Sequence, residues 1–210
     1  MNNAKYFLIL FCFLANVFAQ DCKTESSCKA AYALGLRWGL NASNLYEVYN
    51  DGHKSRGSFR NDSYDGWQLG LVLDIAMNDW LYIQPGLMYI QKGTRIDDIN
   101  LEYAANYIEL PLQASLKFSA LRINAGPYLG VYLGPEDSGD YCDGPYCYTM
   151  AASDFFSTDF GFSMGFGFDI WKFYTGLFYN HGLAGMGNKK HFNYYNRILG
   201  FNLGVNFWKI

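Results

Sequence analysis

Apolar and polar residues alternate with a period of two in eight segments of this chain, the pattern of β-strands with one apolar and one polar face. In the first segment, Tyr32, Leu34, Leu36, Trp38 and Leu40 share one parity, and mostly small residues lie between them. The segments cover residues 32–40, 67–75, 81–89, 108–118, 121–133, 160–170, 173–179 and 199–207. The pattern predicts an all-β protein with eight strands and no visible domain boundary.

The connections between these segments alternate strictly between short and long. The short ones, residues 77–79, 119–120 and 171–172, have the length of tight hairpin turns. The long ones span about residues 42–65, 93–106, 134–157 and 184–196. Short turns at one end and long loops at the other are the layout of outer-membrane barrels. The sequence therefore predicts an eight-stranded antiparallel up-and-down transmembrane β-barrel with short periplasmic turns and long extracellular loops.

The two parities differ in a way that decides which face points outward. The parity with the large apolar residues holds no charge, whereas the other is rich in glycine and holds six charged residues: Arg37, Asp74, Glu109, Lys117, Arg122 and Asp169. The interior of an eight-stranded barrel is only just wide enough for side chains to fill. We therefore expect the glycines and these lumen charges to fill the interior, and the large apolar residues to face lipid.

Composition excludes several other classes of protein. Half of the residues are apolar and 17% are charged, against an average of about 25%, so a disordered chain is excluded. The formal net charge is −3 and the sequence has no cluster of basic residues, which argues against nucleic acid as a partner. The one long apolar run, residues 6–15, is shorter than the roughly 20 residues of a transmembrane helix, so a helical membrane protein is excluded.

The N-terminus has the features of a secretory signal peptide over residues 1–19. Lys5 supplies the positive charge, residues 6–14 the apolar segment, and Ala19 the small residue before a cleavage site. The expected organisation is a signal peptide (1–19), a periplasmic N-terminal segment (20–30) and an outer membrane β-barrel (31–210). The expected location is the cell outer membrane, after cleavage near Ala19.

Four cysteines remain after that cleavage: Cys22, Cys28, Cys142 and Cys147. An even number in an oxidising compartment favours disulfides, and the short spacings favour the pairs Cys22–Cys28 and Cys142–Cys147. Three connectivities are formally possible. A zinc site made of all four thiolates is the alternative, although the spacing from Cys22 to Cys28 exceeds the usual range for zinc ligands.

Several strand segments carry a family resemblance. The stretches GLRWGLNASNL (35–45), LYIQPGLMYIQKG (81–93), NYIELPLQASLKF (106–118) and INAGPYLG (123–130) resemble the PorT-like outer membrane β-barrel domain family of Gram-negative bacteria. The resemblance implies an eight-stranded barrel with both termini in the periplasm, in a family where few members have an assigned activity. It differs at the C-terminus, where Phe207 and Trp208 are followed by Lys209 and Ile210 instead of ending the chain on an aromatic residue.

These features favour a non-enzymatic outer membrane protein without a cofactor. Its expected partners are outer membrane lipid and lipopolysaccharide, the barrel assembly machinery, and an envelope or extracellular protein of unknown identity. One alternative is a secreted soluble barrel that binds an apolar ligand in its interior. The other is an outer-leaflet lipid hydrolase with His181 as its base and Thr158 or Ser157 as its nucleophile, since such an enzyme needs these groups within hydrogen-bond reach.

Two of the long loops contain residues that could bind a ligand. The first loop mixes aromatic and basic residues, which could contact a protein, a glycan or lipopolysaccharide phosphates, or could pack over the mouth of the barrel: Tyr46, Tyr49, Phe59, Tyr64, His53, Lys54, Arg56 and Arg60. The third loop holds Glu136, Asp137, Asp140 and Asp143. Their carboxylates could bind Ca²⁺ or be solvated, and their spacing matches no EF-hand loop.

Overall fold

The computed structural model describes residues 32–49, 61–96, 101–135, 140–143, 146–149, 158–183 and 192–209. The proposed signal peptide and periplasmic segment, with Cys22 and Cys28, lie outside these residues. So do Ser157 and residues 50–60 of the first loop. None of the described residues is helical, and no membrane-spanning helix is found among them.

Ten strands account for nearly all of the described chain. They are β1 (Tyr32–Tyr49), β2 (Asn61–Ala76), β3 (Leu81–Ile96), β4 (Leu101–Phe118), β5 (Leu121–Pro135), β6 (Asp140–Asp143), β7 (Tyr146–Thr149), β8 (Thr158–Ile170), β9 (Phe173–Gly182) and β10 (Phe192–Lys209). Eight of them form a closed barrel in the order β1-β10-β9-β8-β5-β4-β3-β2. Every pair of neighbours is antiparallel, and β10 closes the barrel against β1. The predicted eight-stranded antiparallel barrel is confirmed.

The short connections lie where the sequence predicts them. Ser119 and Trp171, the first residues of two-residue turns, have φ of 58° and 57°, the backbone twist that tight hairpin turns require. The turn between β2 and β3 is one residue longer than predicted, because Trp80 belongs to it. The Asn78 side chain accepts hydrogen bonds from the backbone N–H groups of Trp80 and Leu81, at 3.0 and 2.7 Å, and so stabilises this turn.

The predicted strand ends on the loop side are wrong, because the strands extend into the predicted long loops. β1, β4 and β10 each contain 18 residues, whereas about 9–11 tilted residues cross a bilayer. The extra residues pair with each other, as in the β1–β10 ladder that continues to Tyr49 and Phe192. A two-stranded hairpin of β6 and β7, which the sequence analysis missed, lies within the predicted third loop.

The apolar parity faces outward. Leu71, Phe166 and Leu203 are 38%, 46% and 43% exposed, and the residues between them along each strand are mostly buried in the lumen. A barrel with the apolar set inside, which the soluble alternative requires, is therefore wrong. Ile75 is an exception, since it has the outward parity but is buried. It lies between Tyr32 and Ile83 on the neighbouring strands, near the turn end of the barrel.

Glycine at inward-facing positions allows close contacts with neighbouring strands and lumen side chains. At Gly126, an added Cβ would overlap the carbonyl oxygen of Leu112 and lie 2.8 Å from the Cα of Gln113. At Gly130 the nearest atom, Cγ of Glu109, would be 3.4 Å away. The backbone of β4 thus leaves no room for a side chain at residue 126, whereas residue 130 has room for a methyl group.

Candidate functional site in the barrel lumen

The lumen near the short turns contains a network of four charged residues, here called the Arg122 cluster: Asp74, Lys117, Arg122 and Asp169. The Arg122 guanidinium donates to both oxygens of Asp74 at 3.0 and 2.7 Å, and through Nε and Nη2 to Asp169 at 2.9 and 2.7 Å. Bidentate contacts of this kind are the strongest ion pairs in proteins. Since β2 is three strands away from β5 in the barrel order, Arg122 and Asp74 join opposite walls of the lumen.

Lys117, the second cation of the Arg122 cluster, and the neighbouring Gln84 also contact Asp74. Lys117 Nζ lies 3.0 Å from Asp74 and 3.6 Å from Asp169, and 3.9 Å from the centre of the Tyr82 ring. Gln84 donates to Asp74 at 2.6 Å. Two cations and two carboxylates give the cluster no net charge, and each buried charge has a partner of opposite sign.

A second network, the Lys92 cluster, lies further towards the loop end and consists of Lys92, Glu109 and Asp159. The ammonium of Lys92 pairs with Glu109 and, at 2.6 Å, with Asp159. All three side chains are almost fully buried. Because they come from β3, β4 and β8, this cluster also joins opposite walls of the barrel.

Neighbouring side chains surround the Lys92 cluster. Asn196 and Tyr128 donate to Asp159 at 2.9 and 3.3 Å, and Asn180 donates to Glu109 at 3.4 Å. The Lys92 ammonium lies 4.8 and 4.9 Å from the ring centres of Tyr107 and Tyr128. One cation and two carboxylates leave this cluster with a formal charge of −1.

Apolar residues pack beside the Lys92 cluster and help to fill the loop end of the lumen. Ile90, Ala105, Tyr107, Phe178 and Ile198 form one buried cluster, with the partly buried Tyr132 packed against it. They come from β3, β4, β9 and β10, so apolar contacts also extend across the interior.

A cavity of about 60 Å³ separates the two charged networks. A water molecule needs roughly 10–15 Å³ measured in this way, so the space holds only a few solvent molecules. Polar and apolar groups both line it: Arg37, Gln68, Gln84, Glu109, Gln113, Asn124, Ser163, Asn180 and Asn202, together with Val72, Met88, Pro111, Gly165, Tyr174 and Phe178.

Arg37 lies in the lumen but outside both networks. Its Nη1 donates to the Leu36 carbonyl at 3.1 Å and to Asn206 at 2.9 Å, and its guanidinium lies 4.6 Å from the centre of the Tyr174 ring. Nη2 is buried and has no hydrogen-bond partner. Arg37 is thus the one lumen cation, among the described residues, without a carboxylate in contact.

The structure therefore brings four of the six predicted lumen charges together, namely Asp74, Lys117, Arg122 and Asp169. It places Glu109 in a different network and Arg37 in neither. The sequence analysis missed Lys92 and Asp159, which lie just beyond the segments taken as strands. Both residues continue the series of inward-facing positions, in which every second residue faces the lumen. Lys92 is four residues after Met88 in the third segment, and Asp159 is two residues before Gly161 in the sixth.

The catalytic arrangement considered for a lipid hydrolase does not form between its described members. His181 is half-buried on β9, opposite Phe162 of β8, and its Nδ1 lies 3.3 Å from the Tyr179 hydroxyl. Thr158 lies four positions before Phe162, about 13 Å along the strand. The hydroxyl of Thr158 and the imidazole of His181 are therefore beyond hydrogen-bond reach.

The loop residues singled out in the sequence are only partly described. Cys142 and Cys147 face each other across the β6–β7 hairpin, and Asp140 and Asp143 begin and end β6. Tyr64 is buried on β2, at the loop end. Among the residues that the structure describes, no group of three or more His, Cys, Asp or Glu is placed to bind a metal ion.

Comparison with known proteins identifies the family. The model of the outer membrane protein beta-barrel domain family matches residues 18–188. This chain belongs to that family. Its place is accordingly the outer membrane, where the exposed apolar band contacts lipid. No curated protein matches the sequence.

Several solved outer membrane barrels are similar to this chain at low sequence identity. OprG from Pseudomonas aeruginosa is 13% identical with a TM-score of 0.50, over 85% of this chain and 97% of OprG. Neisserial surface protein A is 11% identical with a TM-score of 0.49, over 83% of this chain and 97% of that protein. Ail of Yersinia pestis, solved with the heparin analogue sucrose octasulfate, is 11% identical with a TM-score of 0.40, over 85% and 100%. Identities this low bear on the fold alone.

Proposed function

We propose that this protein is a non-enzymatic outer membrane barrel whose lumen is closed to diffusion, and that it acts through its extracellular loops or by stabilising the envelope. The observation that carries the proposal is the pair of charged networks, each of which joins opposite walls, with a cavity of only about 60 Å³ between them. An eight-stranded barrel has an interior just wide enough for side chains, whereas diffusion pores have about 16–18 strands.

Conductance in a planar lipid bilayer tests the closed lumen. The wild-type protein should give no stable open channel. A variant with Lys92→Ala and Tyr128→Ala removes a cation and a ring from the Lys92 cluster, and we expect it to conduct more than the wild type. It also serves as the positive control for insertion. A stable large conductance of the wild-type protein would overturn the proposal.

A disulfide between Cys142 and Cys147 is part of the proposed architecture of the third loop. Two residues, 144 and 145, connect β6 to β7, so Asp143 and Tyr146 are the hydrogen-bonded pair that closes the turn. The next pair, Cys142 and Cys147, is then a non-hydrogen-bonded pair, for which the Cα atoms are about 4.5 Å apart. This separation lies within the range that a disulfide spans. Free thiols at both positions in a non-reducing digest would contradict it.

Export and assembly belong to the same proposal. The charged, apolar and small-residue segments of residues 1–19 support cleavage near Ala19, followed by a periplasmic segment that holds Cys22 and Cys28. The strand sequences support a PorT-like member in a Gram-negative envelope, inserted by the barrel assembly machinery. N-terminal sequencing of the protein from washed outer membranes tests the cleavage site, and a mature chain that begins at Met1 would exclude the signal peptide.

Loop-mediated contact is supported by the long strands. Several strands exceed the 9–11 residues that cross a bilayer, so the barrel wall continues beyond the membrane and presents the loops away from the lipid headgroups. The first loop, with aromatic and basic residues between 46 and 60, is the proposed contact with lipopolysaccharide or a protein. Deleting residues 51–58 should leave barrel folding intact and weaken binding to lipopolysaccharide micelles, whereas unchanged binding would exclude that loop.

A further inference from the structure

The turn end of the lumen carries one more positive charge than its carboxylates can balance. Arg37, Lys117 and Arg122 lie there with only two carboxylates, Asp74 and Asp169, and Arg122 and Lys117 contact both of these. Arg37 and Arg122 also share the ring of Tyr174, at 4.6 and 5.5 Å from its centre. Over the whole described lumen the four cations are balanced by four carboxylates, because the Lys92 cluster has a formal charge of −1, so the positive excess is local to the turn end, where two like charges share one ring.

The unpaired atom of Arg37 marks where that charge would be placed. Arg37 is 3% exposed, it lines the cavity, and its Nη2 has no hydrogen-bond partner. A buried donor of a charged group that lacks a partner is among the more costly defects in a folded protein. The carboxylate of Glu109 lines the same cavity, where it pairs with Lys92 and accepts from Asn180, but it forms no hydrogen bond with Nη2. A partner for Nη2 must therefore come from the cavity itself.

The remaining groups on the cavity wall fit a small solvated anion. Side-chain amides of Gln68, Gln113 and Asn202 line it; Gln68 already donates to Asn202 and Gln113 to Ser163, so each of these two amides has one further N–H group to donate. Asn124 and Asn180 each have a buried side-chain oxygen without a partner, to which water molecules could donate. A volume of about 60 Å³ admits one small ion with a few waters, whereas pockets for organic ligands measure about 300–1,000 Å³.

We infer that the lumen holds a small monovalent anion, such as chloride, bound at the Nη2 of Arg37 between the two charged networks. The anion balances the positive excess of the turn end and supplies the acceptor that the guanidinium lacks. It is a resident counter-ion of the closed lumen and does not pass through it. The site goes beyond the proposed function, because a barrel that acts only through its loops does not need it.

Bromide, a heavier halide of the same charge, tests the site directly. Crystals of the wild-type protein grown in sodium bromide should show an anomalous peak in the cavity, within hydrogen-bond distance of Arg37 Nη2. Density for water alone, with no anomalous signal there, overturns the inference. Because this measurement uses the wild-type chain, it does not depend on whether any variant folds.

Thermal unfolding in detergent provides a second test, with variants matched in charge. Wild-type protein folded in sodium chloride should unfold about 2–4 °C higher than protein folded in sodium gluconate of the same ionic strength, once chloride exceeds its Kd about fivefold. Gluconate is too large for the cavity, and equal ionic strength removes differences in surface screening. Arg37→Gln should abolish the difference. Lys172→Gln, which removes an exposed cation near the Trp171 ring, should retain it.

The outcomes separate specific from general salt effects. A chloride effect that is equal in the wild type and in Arg37→Gln overturns the inference, because the anion then acts elsewhere. Loss of the effect in both Arg37→Gln and Lys172→Gln overturns it as well. Arg37→Lys keeps the positive charge on a shorter side chain. A chloride effect between those of the wild type and of Arg37→Gln supports direct contact between the side chain and the anion.

Discussion

Removing the cation of the Lys92 cluster should destabilise the barrel more than most single substitutions. Lys92→Met keeps much of the side-chain volume but leaves Glu109 and Asp159 as two carboxylates in the lumen without a cation between them. Both carboxylates are almost fully buried, so water cannot replace the lost partner. The change also removes the contacts of the ammonium with the rings of Tyr107 and Tyr128.

The expected magnitude follows from the contacts that are lost. Lys92 makes two charge-assisted hydrogen bonds, each contributing about 1.5–3 kcal/mol, or about 3–6 kcal/mol together. Removing one side of a buried ion pair typically costs about 3–5 kcal/mol, because a buried charge is left without compensation. We therefore expect the free energy of unfolding of Lys92→Met to fall by about 3–5 kcal/mol.

Urea unfolding in lipid vesicles, followed by tryptophan fluorescence and by the gel mobility of unheated samples, measures this loss. The matched control is Lys172→Met, which removes an exposed lysine and should change stability by less than about 0.5 kcal/mol. The triple variant Lys92→Met, Glu109→Gln, Asp159→Asn removes all three charges, so it should be more stable than Lys92→Met alone. This strong non-additivity is the signature of coupled charges.

Two results would refute this reasoning. A Lys92→Met protein within about 1 kcal/mol of the wild type would mean that Lys92 contributes little to the cluster. A triple variant less stable than Lys92→Met would mean that the hydrogen bonds of the carboxylates, and not their charge, dominate.

Two other substitutions test the wall of the barrel. Leu71→Arg places a charge on the exposed apolar face and should cost about 2–4 kcal/mol of unfolding free energy if Leu71 lies near the bilayer midplane, whereas Ile170→Arg, next to the turn after β8, should cost about 0–1 kcal/mol; equal costs would contradict the assigned membrane position. Gly126→Ala should destabilise the barrel by about 1–3 kcal/mol because its methyl group meets the backbone of β4, whereas Gly130→Ala should be nearly neutral; the two variants unfolding at the same urea concentration would contradict the close approach at Gly126.

Alternation along the chain is sufficient to predict the architecture because a membrane barrel imposes one rule on every strand. Large side chains face lipid and small or paired side chains face the lumen, so Leu71 and Val72 can be assigned to opposite faces without knowledge of any contact. The turn end is equally predictable. A two-residue connection such as Ser119-Ala120 is long enough only for a hairpin turn between antiparallel strands.

Contacts across the lumen could not be predicted in the same way. Asp159 and Lys92 come from β8 and β3, and their meeting depends on strand tilt and stagger, which alternation does not encode. The pattern also fades where strands leave the lipid, since both faces are then polar or buried. For that reason the predicted third segment ends at Tyr89, before Lys92, and the predicted strands are shorter than the observed ones.

The direction of the apolar face is the claim on which the rest depends, and a nitroxide scan along β8 in lipid vesicles measures it most directly. Cysteines are introduced one at a time at Phe160, Phe162, Ser163, Met164, Gly165, Phe166 and Phe168, in a chain whose native cysteines are replaced by serine, and collisions of the attached spin label with oxygen report contact with acyl chains. Gly161 and Gly167 are left unchanged, because a Cβ there would meet the backbone of β9. The account predicts oxygen accessibility maxima at Phe160, Phe162, Met164, Phe166 and Phe168 and minima at Ser163 and Gly165. Maxima at Ser163 and Gly165, or equal accessibility at all seven positions, would contradict it.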